Sequence, residues 1–431
     1  MIKSLDIRGL FGTFDYSIKM PDYGNFLIIT GPNGYGKTTI LSIIEDLASG
    51  NLLSLFYVPF DSIHVEYSSF SLDVTSNNGR AVENSDDAAV SERISLEYVI
   101  DNGKESISLK IDNDLISQAK RFCSWSRQAT LFDDFDNFDN EFHDNFKDDE
   151  ISLEKSRMLI EHIAKEQGKS VFMLHINSEI NPYRFIPAQR LYSKDHAGDS
   201  LIKNSIEIVA DKFSEFLRDA YFSFLQNSQL HDSQFIDMLM TGDDAINKED
   251  YDKQLSILSQ KVDVAMKYDL SAAFKLPEYI ESKGVILNYY IKDTFEKFKT
   301  LEKPLRDLNL FDKLLRDKKL VNKSVLYSRR YGIRFVSESD KREIALNSLS
   351  SGEKNEILML HDFIFNLQDG SLLMIDEPEI SLHVAWQREF MNDIIKIAGQ
   401  KSLRVLIATH SPQIIGGRWK DCYDLFYKTH H

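Results

Sequence analysis

Gly31-Pro32-Asn33-Gly34-Tyr35-Gly36-Lys37-Thr38 decides how the chain is read. The eight residues fit G-x-x-x-x-G-K-[ST], a turn whose glycines let backbone N–H groups point inward around phosphate oxygens. Before it, Leu27-Ile-Ile-Thr30 is a run of β-formers. After it, Thr38 to Leu47 carries apolar residues at helical spacing. Strand, glycine loop and helix in that order are the context the pattern requires, and the positive end of the helix then faces the same anion. Lys37 supplies a point charge to the β- and γ-phosphates, and Thr38 offers its hydroxyl to Mg²⁺. Gly31, Pro32, Asn33, Gly34, Tyr35, Gly36, Lys37, Thr38 and Thr39 are therefore the candidate ATP contacts.

Two apolar strands near the end of the chain finish in polar groups. Ser371-Leu-Leu-Met-Ile-Asp376-Glu377-Pro378 delivers two acids at a strand tip. Asp376 suits Mg²⁺ held through water. Glu377 suits orienting or deprotonating the attacking water. Val405-Leu-Ile-Ala-Thr-His410-Ser-Pro412 ends in His410, a candidate sensor of the γ-phosphate. Leu349-Ser350-Ser351-Gly352-Glu353-Lys354 precedes a predicted helix. By itself it reads as a helix cap; beside the other motifs it reads as a phosphate contact.

Between these ends, residues 63–75 and 93–112 alternate polar and apolar around a turn at Asp101-Asn102-Gly103, which predicts an antiparallel meander. Residues 205–320 carry helical spacing without a sustained heptad, so a compact helical arm is expected rather than a long coiled coil. Residues 323–347 return to strand-like alternation, and helix and strand alternate from 349 to about 415. Residues 131–150 place phenylalanines three or four apart among acids; this is a solvated amphipathic face or a docking element for a basic partner.

The chain has 431 residues, 42% of them hydrophobic, ample for a large core. No run is apolar for the ~20 residues a membrane helix needs, and the start is not that of a signal peptide. The expected location is cytoplasmic, without a membrane partner. The two cysteines, Cys123 and Cys422, form no CxxC pair, so buried free thiols are expected. A formal charge of −16 works against non-specific phosphate attraction, so DNA contact needs a local basic face or a partner. Arg316-Asp-Lys-Lys319 and Arg329-Arg330 are the short basic runs that could serve.

GPNGYGKTT, LSSGEKN, LLMIDEPEISLH and VLIATHSPQ, in that order, resemble the ABC/SMC-like ATPases, and within them the RecF- and OLD-type branch. The resemblance implies an α/β P-loop NTPase of ABC head type: a mixed β-sheet, an antiparallel β lobe and an inserted helical arm. It implies head halves at 1–198 and 323–431 with the arm at 199–322. LSSGE looks like the family signature, so Ser350, Ser351, Gly352 and Glu353 would contact ATP on a second copy. Glu377 would be the catalytic base, with Lys37 and His410 in the reaction. Ser381-Leu382-His383 would lie in the D-loop. Phe185-Ile-Pro-Ala-Gln189-Arg190 looks like the Q-loop, with Gln189 sensing Mg²⁺ and the attacking water. The adenine-stacking aromatic of transporters is not evident, and Arg8, Phe11 and Phe14 are the candidates for base contacts.

Twenty-one residues follow His410, too few for the Toprim nuclease that follows in OLD-type proteins. The resemblance then runs to ATPase subunits of bacterial phage-defence systems: the Septu and retron-linked ATPases, with PARIS and AbiL as alternatives. It implies ATP and Mg²⁺ as cofactors, a head-to-tail ATP-linked dimer or higher oligomer, and a separate HNH or Toprim nuclease effector. Rival readings stay open: a RecF-like repair ATPase that binds DNA directly, an ABC-transporter ATPase, or a stably ATP-loaded scaffold with little turnover.

Overall fold

The computed structural model describes residues 1–78, 94–118, 153–180, 182–188, 205–241, 244–272, 276–317, 322–381 and 384–430. Its strands are β1 (Ser4–Leu10), β2 (Phe14–Lys19), β3 (Phe26–Thr30), β4 (Ser62–Glu66), β5 (Ser71–Asn78), β6 (Ile94–Asp101), β7 (Ser106–Asp112), β8 (Tyr183–Ile186), β9 (Lys323–Ser328), β10 (Gly332–Ser337), β11 (Glu343–Ile344), β12 (Leu372–Asp376), β13 (Arg404–Ala408) and β14 (Cys422–Asp424). The main helices are α1 (Lys37–Ser49), α2 (Leu153–Glu166), α3 (Val171–Ser178), α4 (Ser205–Thr241), α5 (Lys248–Lys267), α6 (Gly284–Asp317), α7 (Ser351–Phe365) and α8 (Val384–Lys401). The chain divides into two compact units. The first holds Met1–Tyr192, Gln368–Ile380 and Gln387–His431; the second holds Ser193–Leu367 and Ser381–Trp386.

In the first unit five parallel strands run in the order β14-β3-β13-β12-β8. Every residue of β12 and β13 is buried. A strand covered on both faces has no polar side to show, which is why both are spelled as unbroken apolar runs. Six antiparallel strands, β2-β1-β4-β5-β6-β7, form a second sheet. These alternate instead: β4 buries Ile63 and Val65 and turns His64 between them outward. Parallel and antiparallel strands are both present, as the sequence predicts, and the predicted antiparallel meander forms a sheet of its own beside the parallel sheet of the P-loop. One core joins them: Ile7, Val65 and Leu72 of the antiparallel sheet, Ile40 and Ile44 of α1, Ile160 of α2, Phe172 of α3, and Met374 and Leu406 of the parallel sheet belong to the same buried cluster.

The predicted turn joins β6 to β7 with Gly103 at φ 77°, and the Asp101 carboxylate accepts from its N–H at 2.8 Å. Strands β2 and β14 and helices α2 and α3 carry no comparable signal in the sequence. Cys422 is a half-buried free thiol whose pKa is pushed up to about 11, by burial first and then by Asp421 and Asp424; Cys123 lies outside the described residues. No helix among the described residues is long and apolar enough to cross a membrane.

The second unit is largely helical, as residues 205–320 predict. Helices α4 and α6 pack along each other, and α7 packs on both. Phe213 of α4 is their shared anchor, its ring 4.9 Å from Phe311 of α6 and 4.9 Å from Phe365 of α7. The antiparallel strands β9, β10 and β11 lie on this unit, β10 against α4.

Candidate functional site

Three parallel neighbours, β3, β13 and β12, end at the same level: Ile29 pairs with Ala408, and Ala408 with Asp376. The residues just past those ends therefore converge, as ligand-binding residues do at the carboxyl edge of open parallel sheets. After β3 the chain turns through Gly31 at φ 149°, Gly34 at 87° and Gly36 at 84°. A Cβ on Gly36 would also lie 3.1 Å from Leu10 Cδ2 and 3.3 Å from the Phe11 ring. The Tyr16 hydroxyl donates to Tyr35 O at 2.9 Å and pins the loop from beneath. Lys37 is 5% exposed, and its ammonium donates to Gly31 O at 2.9 Å and Pro32 O at 3.3 Å. Thr38 and Thr39 follow in the first turn of α1.

Asp376 lies at the tip of β12 and is 2% exposed. Its Oδ2 accepts from Thr38 Oγ1 at 2.8 Å, across 338 residues of sequence. Its Oδ1 is buried with no partner among the described residues. Burial lifts its pKa above the ordinary carboxylate value, and the negative charges of Glu377 and Glu379 add to the rise; the Thr38 bond and Lys37 oppose them. A buried carboxylate oxygen without a donor, beside a threonine hydroxyl, is a donor set suited to hydrated Mg²⁺.

Glu377 leaves the strand with φ 40°, a left-handed backbone that costs a non-glycine residue about 1–3 kcal/mol. Its N–H is held by Ala408 O at 2.9 Å. The carboxylate lies 3.9 Å from Lys37 Nζ and 3.8 Å from His410 Nδ1. Lys37, Thr38, Asp376, Glu377 and His410, chosen from three separate stretches of sequence, are thus brought together.

Glu379 is a further acid that the structure adds to this cluster. It is 8% exposed, and its Oε1 accepts from Thr409 Oγ1 at 2.7 Å and His410 N at 3.1 Å, with His410 Nδ1 at 3.3 Å. The signal available in sequence was a third acid close behind Asp376-Glu377. Its partners are thirty residues away and only folding brings them in.

Of the base-contact candidates, Phe11 lies beside Gly36, and the Phe14 ring is 5.2 Å from that of Tyr35. Arg8 is paired with Asp15 at 3.2 Å. Gln189, Arg190, Leu382 and His383 lie outside the described residues, as does the segment 131–150.

In the second unit, Ser350 caps α7 through a capping box. Its Oγ accepts from Glu353 N at 3.3 Å, and Glu353 Oε2 accepts from Ser350 N at 2.9 Å. The other Glu353 oxygen pairs with Lys323 at 2.6 Å. Burial works to raise the Glu353 pKa, but Lys323 and Ser350 outweigh it and hold the group below its ordinary value. A Cβ on Gly352 would lie 3.3 Å from the Trp386 ring. Ser350 and Ser351 are exposed at the helix N-terminus.

A P-loop at the carboxyl edge of a parallel sheet, facing an Asp-Glu strand tip and a histidine, defines a nucleotide-binding ATPase site. Residues 1–415 match the AAA ATPase domain family, and the chain belongs to that family. No curated protein matches the chain. Similar solved structures are SMC heads. A SmcHead bound to the C-winged helix domain of ScpA aligns at 11% identity and TM-score 0.35, over 96% of this chain and 90% of that one. The Smc head with an extended coiled coil, bound to the C-terminal domain of ScpA derived from Pyrococcus furiosus, aligns at 12% and 0.34, over 96% and 90%. The SMC head domain from Thermotoga maritima aligns at 10% and 0.32, over 98% and 94%.

Proposed function

We propose that this ATPase closes head-to-tail with a second copy of itself around two ATP molecules, and that closure controls a separate nuclease effector in antiphage defence. The observation that carries the catalytic part is the convergence of Lys37, Thr38, Asp376, Glu377 and His410 at one strand edge. The defence role and the HNH or Toprim partner rest on the motif resemblance alone.

In this reading the P-loop amides and Lys37 bind the β- and γ-phosphates. Glu377 is the general base, held by its backbone beside Lys37 and His410, and takes a proton from the water that attacks the γ-phosphorus. The phosphate leaves with that water's oxygen, and ADP keeps the bridging oxygen. Asp376 and Thr38 would hold Mg²⁺, which when bound with nucleotide supplies positive charge to the phosphate oxygens. Gln189 is assigned to the same ion and the attacking water. Ser350, Ser351 and Gly352 present a helix N-terminus to the nucleotide of the other copy. The head is made of 1–198 and 323–431, with 199–322 as its inserted arm.

The test is ATP turnover and assembly mass, measured together on wild type, Lys37→Ala and Glu377→Gln, with and without double-stranded DNA. Wild type should hydrolyse ATP, Lys37→Ala should neither bind nor hydrolyse it, and Glu377→Gln should accumulate as an ATP-bound dimer. Turnover by Glu377→Gln at the wild-type rate would sink the assignment of the base. Stimulation by DNA would favour direct DNA sensing over control of a partner.

A further inference from the structure

We propose that the arginine-lined groove between α4 and the β9–β10 turn receives the acidic, phenylalanine-bearing stretch 131–150 of a second copy of the chain. The contact needs no nucleotide and does not depend on the ATP-linked pairing proposed above.

The groove holds about 410 Å³ and is lined by Arg218, Tyr221 and Phe222 of α4, by Asp269, and by Arg329 and Arg330 of the turn. The turn is fixed to the helix. A Cβ on Gly332 would fall 1.8 Å from Ala210 O, and Ser214 Oγ donates to Arg329 O at 2.7 Å. The Arg329 guanidinium sits 3.7 Å from the centre of the Tyr221 ring. Asp269 accepts from its Nη2 and from its backbone N–H, each at 3.0 Å. Arg329 is thereby neutralised and built into the wall. Arg218 and Arg330 differ: both are exposed, and neither makes an ion pair among the described residues. Arg330 rests only on the Tyr331 ring, 4.9 Å from its centre, whereas Arg334, 3.4 Å from the centre of the same ring, pairs with Glu343 at 2.9 Å. Phe222 is 63% exposed beside them.

Arginine and aromatic side chains dominate the energetics of protein–protein contacts. Two free guanidiniums around exposed rings call for carboxylates that flank an apolar ring. A nucleic-acid backbone fits less well. Asp269 lines the groove and Asp219, next to Arg218 in the chain, is exposed, so no continuous positive track follows a row of phosphates. Stretch 131–150 has the matching composition: nine acids against one lysine, and five phenylalanines each within two residues of an acid. Copies carrying −16 repel one another at a distance, and a local cationic groove is where one copy can accept the acids of the other. Exchange in both directions closes a two-fold pair.

The experiment measures the mass of full-length protein without nucleotide as its concentration is raised. Wild type and Lys37→Ala should both form a reversible dimer. A synthetic peptide of residues 131–150 should bind wild type and, in excess, return it to single chains. The double variant Arg218→Glu/Arg330→Glu should weaken both self-association and peptide binding by about tenfold or more, and Phe222→Ala by about tenfold, the loss of a central anchor. These side chains are exposed, and melting temperatures that match wild type would show the variants folded. A peptide of the same composition with its phenylalanines grouped at one end should not compete. Wild type that stays single while the peptide binds overturns the second-copy pairing. So does equal competition by the rearranged peptide, which would mean that charge alone is read, or a double variant that associates like wild type. Displacement of the peptide by a single-stranded oligonucleotide at lower concentration would assign the groove to nucleic acid instead. Dimer lost in Lys37→Ala alone would tie the contact to the nucleotide site and sink its independence; failure of ATP-linked pairing leaves the groove contact standing.

Discussion

Asp376 has one oxygen on Thr38 and one with no donor among the described residues. That arrangement costs stability, and binding a cation would return it. Because burial raises its pKa in the folded chain, the folded state holds the proton more tightly than the unfolded chain does. Below the ordinary carboxylate range both states are protonated and no penalty is felt; above the raised value the folded state carries it in full. Asp376→Asn should therefore melt higher than wild type at neutral pH without nucleotide, by about 1 kcal/mol, with the gain shrinking as pH falls. It should also lose ATP turnover. A variant less stable than wild type at neutral pH would mean that the unpaired oxygen is satisfied in solution.

Helix α1 shows the same balance at the level of an element. It starts after Gly36 and ends at Gly50, both left-handed, and the Gly50 N–H closes on Asp46 O. Asp46 is pushed from 3.8 to about 6, by burial against the bonds from Ser54 and Asn51. A raised folded value means its stabilising contribution is present below about pH 4 and lost as pH passes about 6. The loss is as much as about 3 kcal/mol. Asp46→Asn should unfold at the same denaturant concentration as wild type in acid and at a clearly higher one at neutral pH. In the second unit the β9–β10 turn meets α4 so closely that a Cβ on Gly332, at φ 70°, would fall 1.8 Å from Ala210 O. Backbone cannot give way as a side chain can. Gly332→Ala should therefore lose about 3 kcal/mol or more, seen as a large fall in melting temperature. A shift within error would show that β10 and α4 can part without cost.

For the whole molecule, the proposed pairing makes each ATP site from the P-loop of one copy and the Ser350 helix of the other. Two inactive variants, Lys37→Ala and Ser350→Arg, should then rescue each other. Half the dimers in an equal mixture are mixed, and each mixed dimer has one of its two sites intact, so about a quarter of the wild-type rate should return. If mixing restores nothing, the two halves of a site do not come from different copies. The charge of −16 bears on association at this scale, and any DNA-stimulated turnover should fall steeply with salt.

Much of the fold and the site was legible in the sequence because the decisive signals are local. Gly31, Gly34 and Gly36 are spelled where the backbone turns left-handed, and β12 and β13 are continuous apolar runs because both faces are covered. Strand ends name the residues that reach the site, so Asp376, Glu377 and His410 could be picked out from the residues where the runs stop. Ser350 and Glu353 were readable as a cap for the same reason, being three residues apart. Long-range pairing was beyond that reach. That β1 and β2 join β4 to β7 in one sheet, in the order β2-β1-β4-β5-β6-β7, depends on hydrogen bonds between distant strands, and no periodicity encodes it. The Lys323–Glu353 pair, the Trp386 ring on Gly352 and the bond from Thr38 to Asp376 were decided by packing. So was Glu379, an acid whose neighbours in sequence say nothing of Thr409 and His410. The sequence determined which chemical groups stand at the strand ends. Only the tertiary structure decided which of them touch, because contact depends on strand order and register rather than on spacing along the chain.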